Sequence, residues 1–140
     1  MSTPMWSLIT FAGWTLVILL AGIGVSRWSQ ILTGRKQLTD FPADQPHGGA
    51  AYRRIVRAHL NCVENLPVYA VIVLGLELGQ VAYPVIDRLA IAFMGARILQ
   101  SLTHMLFTET NLTVLIRFLF FLAQIVCMIA MLVLLVAAKV

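Results

Sequence analysis

The chain has 140 residues, of which 60% are hydrophobic and 11% charged, with a formal net charge of +4 and a mean hydropathy of +0.89. Soluble domains carry about 25% charged residues, so this chain cannot coat a globule of its size, and it is too apolar to stay solvated as a disordered one. An integral membrane protein of a single domain, residues 1–140, is the class that remains.

The net charge does not indicate nucleic acid. Seven of the ten Lys and Arg residues lie in or beside two loops, as membrane topology requires, and no basic face interleaved with aromatics is present to form a nucleic-acid footprint. Cys62 and Cys127 both fall in apolar stretches. Two such thiols make neither a disulfide framework nor a metal-ligand spacing, so no metal is expected.

Residues 6–25 contain no charge, and about 20 such residues cross a hydrocarbon core of about 30 Å. The run lacks a basic start and is too long for a secretory signal, so a retained helix is expected over about residues 6–26. Residues 27–52 follow as a polar loop, with Gly34, Pro42, Pro46 and the pair Gly48-Gly49 as breakers. A second helix is expected over residues 57–80, and a short connection over 81–87 contains Pro84. A third helix is expected over residues 89–107 and a loop with Glu109 and Asn111 over 108–115. A fourth follows over 117–138, of which 118–138 hold no charge. Four spans joined by one longer and two short connections predict an antiparallel four-helix bundle.

Orientation follows from the loops. Arg27, Arg35, Lys36, Arg53, Arg54, Arg57 and Arg117 flank the first and third loops, and only Arg88 and Lys139 lie on the other side. Both termini are therefore expected outside the cytoplasm.

Polar residues inside the second and third spans need a reason, because a charge at bilayer depth costs at least about 2.5–3.5 kcal/mol. Arg57, Asn61, Glu64 and Val68 recur at helical spacing on one face, with Asn65 at its edge. Arg97, Gln100 and His104 do the same on the third span. Two such stripes lining one pocket suit a small zwitterionic ligand with several carboxylates. Arginines would fork onto carboxylates, the acid would take an ammonium and the amides would fix backbone-like groups. The alternative is that Glu64 and Arg97 simply pair to join two helices. Pro67 removes one backbone donor and is expected to kink the second helix. His59 reads as interfacial, whereas His104 extends the Arg97 stripe and is chemically able to serve as a base or hydrogen-bond partner. Arg117 opens the fourth span, where an interfacial role and a place at the pocket mouth both remain open.

The segment Arg57-Ala58-His59-Leu60-Asn61-Cys62-Val63-Glu64-Asn65-Leu66-Pro67-Val68-Tyr69 resembles the second-helix signature of the MAPEG family, the membrane-associated proteins in eicosanoid and glutathione metabolism. Gly95-Ala96-Arg97 is similar to the family's third-helix start, and length and layout agree along the whole chain. The resemblance, to a bacterial-type member, implies an inner-membrane homotrimer with glutathione bound between adjacent subunits near the cytoplasmic face. It implies glutathione contacts from Arg57, Asn61, Glu64, Arg97 and Gln100, with a looser basic contact from Arg35 or Lys36. It also implies that Arg117 stabilises the glutathione thiolate, with His104 as the second candidate. Active members carry aromatic or histidine residues three and seven positions after the third-helix arginine, typically tyrosine at the latter. Here those positions hold Gln100 and His104, so a phenol contact is missing, with His104 able to replace its hydrogen bond.

The expected function is a glutathione-dependent transferase or peroxidase acting on hydrophobic or lipid-like electrophiles. A non-catalytic lipid- or glutathione-binding protein of the same fold is the alternative. A small transporter using Glu64 and Arg97 is a third reading, resting on intramembrane charge alone.

Overall fold

A computed structural model describes residues 1–42 and 45–139; residues 43 and 44 of the expected first loop, and residue 140, lie outside the described residues. Four long helices are present: α1 (Thr3–Leu32), α2 (Ala50–Leu78), α3 (Pro84–Leu106) and α4 (Asn111–Ala137), each long and apolar enough to cross a membrane. A 3₁₀ turn, Leu38–Asp40, interrupts the first connection. No strand occurs among the described residues.

Each helix outlasts its apolar run. The Ser2 side chain accepts from Met5 N at 3.2 Å and starts α1 ahead of the hydrophobic stretch. At its other end α1 continues past Arg27 to Leu32, because hydropathy marks the lipid boundary and not the last helical hydrogen bond. Residues 27–32 and 50–52, expected in the loop, are thus helical. Pro84 and the reciprocal Thr110–Thr113 cap begin α3 and α4 earlier than charge placement suggested. Helical geometry runs unbroken through Pro67 in α2.

Within α1, residues Ile18–Gly24 widen into π-helical turns. There Gly22 lies against α2, and a Cβ on it would stand 2.5 Å from Ile55 Cγ2. Beyond the widened turns Arg27 Nε donates to Tyr52 Oη at 2.7 Å, tying α1 to the first turn of α2.

α2 and α3 form the centre, and α1 and α4 each pack on both. Phe11, Tyr69 and Phe93, from α1, α2 and α3, are fully buried. The Tyr69 and Phe93 rings stack at 3.8 Å, and Phe11 meets Phe93 edge-on at 5.6 Å. The Tyr69 hydroxyl is hydrogen-bonded to Ser7. On the α4 side Met128 and Met131 fill the contact, and Gly75 admits Leu135. The outside is the more apolar surface: Leu20, Val71, Leu78 and Ile91 all stand exposed, as a lipid-facing bundle requires and a soluble one forbids.

Candidate functional site

The polar residues of the spans gather into two connected groups toward the end of the bundle that carries the first and third connections. The inner group centres on Arg97. Its side chain is completely buried. Nη1 donates to Asn61 Oδ1, to Gln100 Oε1 at 3.1 Å and to the Asn61 carbonyl at 3.4 Å. The guanidinium carbon lies 5.1 Å from the Phe11 ring centre and 6.0 Å from that of Phe93, so the aromatic faces supply part of the lost hydration. Nε and Nη2 have no partner, and no carboxylate pairs with Arg97 among the described residues.

Gln100 carries the group to α4. Its Nε2 donates to the Arg117 carbonyl at 3.1 Å, and its Oε1 accepts from Gln124 Nε2 at 3.0 Å. Gln124 is fully buried. It sits in a span marked only by its lack of charge, seven residues after Arg117 on the same helical face. An amide inside an otherwise apolar run was the available signal.

The outer group lies one or two turns away. Arg117 is buried, and its Nη1 lies 2.9 Å from His104 Nδ1. The same Nη1 is 3.8 Å from Glu109 Oε1, which also accepts from Arg57 Nη1 at 3.0 Å. Nε of Arg117 donates to the Thr113 carbonyl at 3.2 Å. Arg57, Glu109, Arg117 and His104 therefore form a chain across three helices and one linker, while Asn61, Arg97, Gln100 and Gln124 form the layer beneath.

Glu64 and Arg35 are not drawn into either group. Glu64 points outward from α2 and has no ion partner among the described residues, so the Glu64–Arg97 pair weighed as an alternative is not formed. Arg35 is exposed, following the end of α1. Of its neighbours, Lys36 Nζ lies 5.3 Å from the Phe41 ring centre and Arg27 shares that ring at 5.4 Å. His59 is half-buried on α2. An open cavity of about 360 Å³ lies at the opposite end of the bundle, lined by residues including Glu77, Tyr83 and Asp87.

Depth makes the outward Glu64 chemically conspicuous. Counting about 20 residues of helix per hydrocarbon core back from Leu76, the last apolar residue before Glu77, places the other boundary near Val56, so Glu64 lies about 12 Å inside it at about 1.5 Å per residue. On one isolated chain this carboxylate would face lipid.

The sequence profile of the MAPEG family matches residues 5–137, nearly the whole chain. The chain belongs to the MAPEG family. No curated protein and no solved structure matches it. Membership identifies the four apolar helices as the spans of a multi-pass integral membrane protein related to glutathione and eicosanoid metabolism. In this MAPEG protein Asn61 of the second-helix signature meets Arg97 directly, and Arg57 reaches Arg117 through Glu109. The remaining signature acid, Glu64, is exposed on the outer face of α2.

Proposed function

We propose that this protein is a glutathione-dependent membrane transferase or peroxidase that acts on hydrophobic electrophiles. Glutathione would bind between subunits of a homotrimer at the end bearing Arg57 and Arg117, which loop charge assigns to the cytoplasm. The observation that carries this reading is the meeting of Arg57 and Arg117 around one carboxylate, with His104 against Arg117, above a layer of Asn61, Arg97 and Gln100. A polar tripeptide needs cations for its carboxylates and amides for its backbone, and this end of an otherwise apolar bundle offers both. Arg57 and Asn61 are the proposed ligand contacts from α2, with Glu64 taking the ammonium. Arg97 and Gln100 hold Asn61 and the start of α4 in place, and Arg35 is a looser contact from the first connection.

The outward Glu64 supports the trimer. A carboxylate left against hydrocarbon costs at least about 2.5 kcal/mol, whereas a second subunit and a bound ammonium would satisfy it.

Chemistry follows from the thiol. A guanidinium beside sulfur favours the thiolate, the reactive nucleophile, as adjacent cations do for cysteine. Arg117 is proposed for this role because it is buried, held by Thr113 and His104, and therefore oriented before substrate arrives. In transfer, the thiol proton leaves to solvent, the sulfur forms a bond to the electrophilic carbon and the leaving group departs with its electron pair. In peroxide reduction, two glutathione molecules supply two electrons and become the disulfide, while the hydroperoxide becomes alcohol and water. The bilayer delivers the apolar reactant and the loop-charged end the polar one.

Replacement of the phenol position by His104 favours a second reading, a protein of the same fold that binds glutathione or lipid without turnover. Conjugation of glutathione to a nitroaryl halide and reduction of a lipid hydroperoxide, assayed on purified protein, separate the two. Turnover supports the enzyme. A thermal shift with glutathione but no turnover over a broad panel supports the binder.

A further inference from the structure

Arg57 on α2 and Arg117 on α4 converge on a single oxygen atom, Glu109 Oε1, at 3.0 and 3.8 Å. His104 Nδ1, 2.9 Å from the same Arg117 Nη1, holds that guanidinium beside Glu109. Glu109 itself is delivered by a tethered backbone. Thr113 Oγ1 donates to the Thr108 carbonyl at 2.9 Å and accepts from Thr110 N at 2.8 Å, clamping the linker on both sides of the glutamate. The carboxylate side chain is about half exposed, and its partner Arg57 about two-thirds. An ion pair that open to water is held weakly and is readily exchanged.

We infer that Glu109 is a built-in competitor, whose carboxylate occupies a two-arginine seat made for a ligand carboxylate and so sets the site's affinity and selectivity for anionic ligands. Two guanidiniums turned toward one carboxylate oxygen are the arrangement that recognises a carboxylate wherever it comes from. Glu109 differs from a ligand only in being tethered. A ligand with one carboxylate and nothing else meets this resident acid on equal terms and loses to its high local concentration. A ligand that adds further anchors along α2 displaces it. Glu109 thus discriminates against simple carboxylic acids and lipid carboxylates that reach the membrane surface. The identity of the favoured ligand rests on the glutathione reading; the seat itself does not.

The test is calorimetric titration of glutarate, a simple dicarboxylate, and of glutathione into the full-length protein in lipid nanodiscs. Wild type, Glu109→Gln, Glu109→Asp and the double variant Glu109→Gln/Arg57→Gln are compared. Glutarate is expected to bind Glu109→Gln at least threefold more tightly than wild type, with the gain lost in the double variant. Glu109→Asp, one methylene shorter, gives a smaller gain of the same sign and serves if the amide variant does not fold. Unchanged, weaker or absent glutarate binding in the Glu109 variants overturns the inference and makes Glu109 a support for Arg117 instead. A glutarate gain with no glutathione binding to any variant leaves the seat standing and removes the glutathione reading. Glutathione binding indifferent to Glu109, without a glutarate gain, does the reverse.

Discussion

Arg97 and Arg117 are both buried arginines, but their surroundings give them different work. Arg97 is locked between Phe11, Phe93 and the oxygens of Asn61 and Gln100, so it organises α2 against α3. Lysine keeps the charge but loses the planar donor array and the stacking. Arg97→Lys is therefore expected to destabilise the fold by about 2 kcal/mol, the order lost when buried acceptors go unpaired, read as a lowered midpoint of thermal unfolding. Arg117 faces Glu109 and His104 at the mouth. Arg117→Ala is expected to lower kcat at saturating glutathione about 10²- to 10³-fold, the usual loss when one oriented charge-stabilising donor is removed, beyond the weaker binding that follows from losing one arginine of the carboxylate seat. An unchanged kcat at saturation with weaker binding would make Arg117 a binding residue only. Ser7→Ala removes the partner of the buried Tyr69 hydroxyl and is expected to cost about 1–3 kcal/mol, visible in the same thermal measurement.

At the scale of the helices, close approach is set by glycine and by the widened turns of α1. A Cβ at Gly75 would come within 2.7 Å of Leu135 Cδ2, the far end of a flexible side chain. Gly75→Ala gains about 1 kcal/mol in helix propensity and spends it in displacing Leu135. In a Leu135→Ala background the obstacle is gone, so the same substitution is expected to stabilise by about 1 kcal/mol, a non-additivity that a double-mutant cycle measures. Additive effects would mean that α2 and α4 do not meet there. The spans were legible because charge is excluded from lipid, and the polar face Arg97, Gln100 and His104 because three buried polar residues repeat at helical spacing. The helix ends were less legible. Ser2, Pro84 and the Thr110–Thr113 pair set them through local hydrogen bonds and fixed φ, signals that hydropathy does not carry. The π-helical turns at Ile18–Gly24 were not legible either, although Gly22 within them packs against Ile55 of α2. Which members of each stripe turn inward was likewise a tertiary matter: Asn61 meets the enclosed Arg97, while Glu64 three residues on faces out.

The whole molecule is an inside-out bundle, with its polar groups gathered at one end of the interior and aliphatic side chains around the circumference. Glu64 breaks that circumference within the expected hydrocarbon depth, which the proposed function accounts for with a second subunit. The proposal that the α2 face is completed by another subunit and by glutathione makes Glu64 and Arg57 necessary together, one from the exposed face and one from the mouth. The most direct test is a glutathione titration on purified protein in nanodiscs, repeated with Arg57→Ala and Glu64→Ala. Saturable binding to wild type, weakened at least tenfold by either substitution in protein that remains folded, is the predicted result. No binding to wild type at millimolar glutathione, or binding that survives both substitutions undiminished, would contradict it.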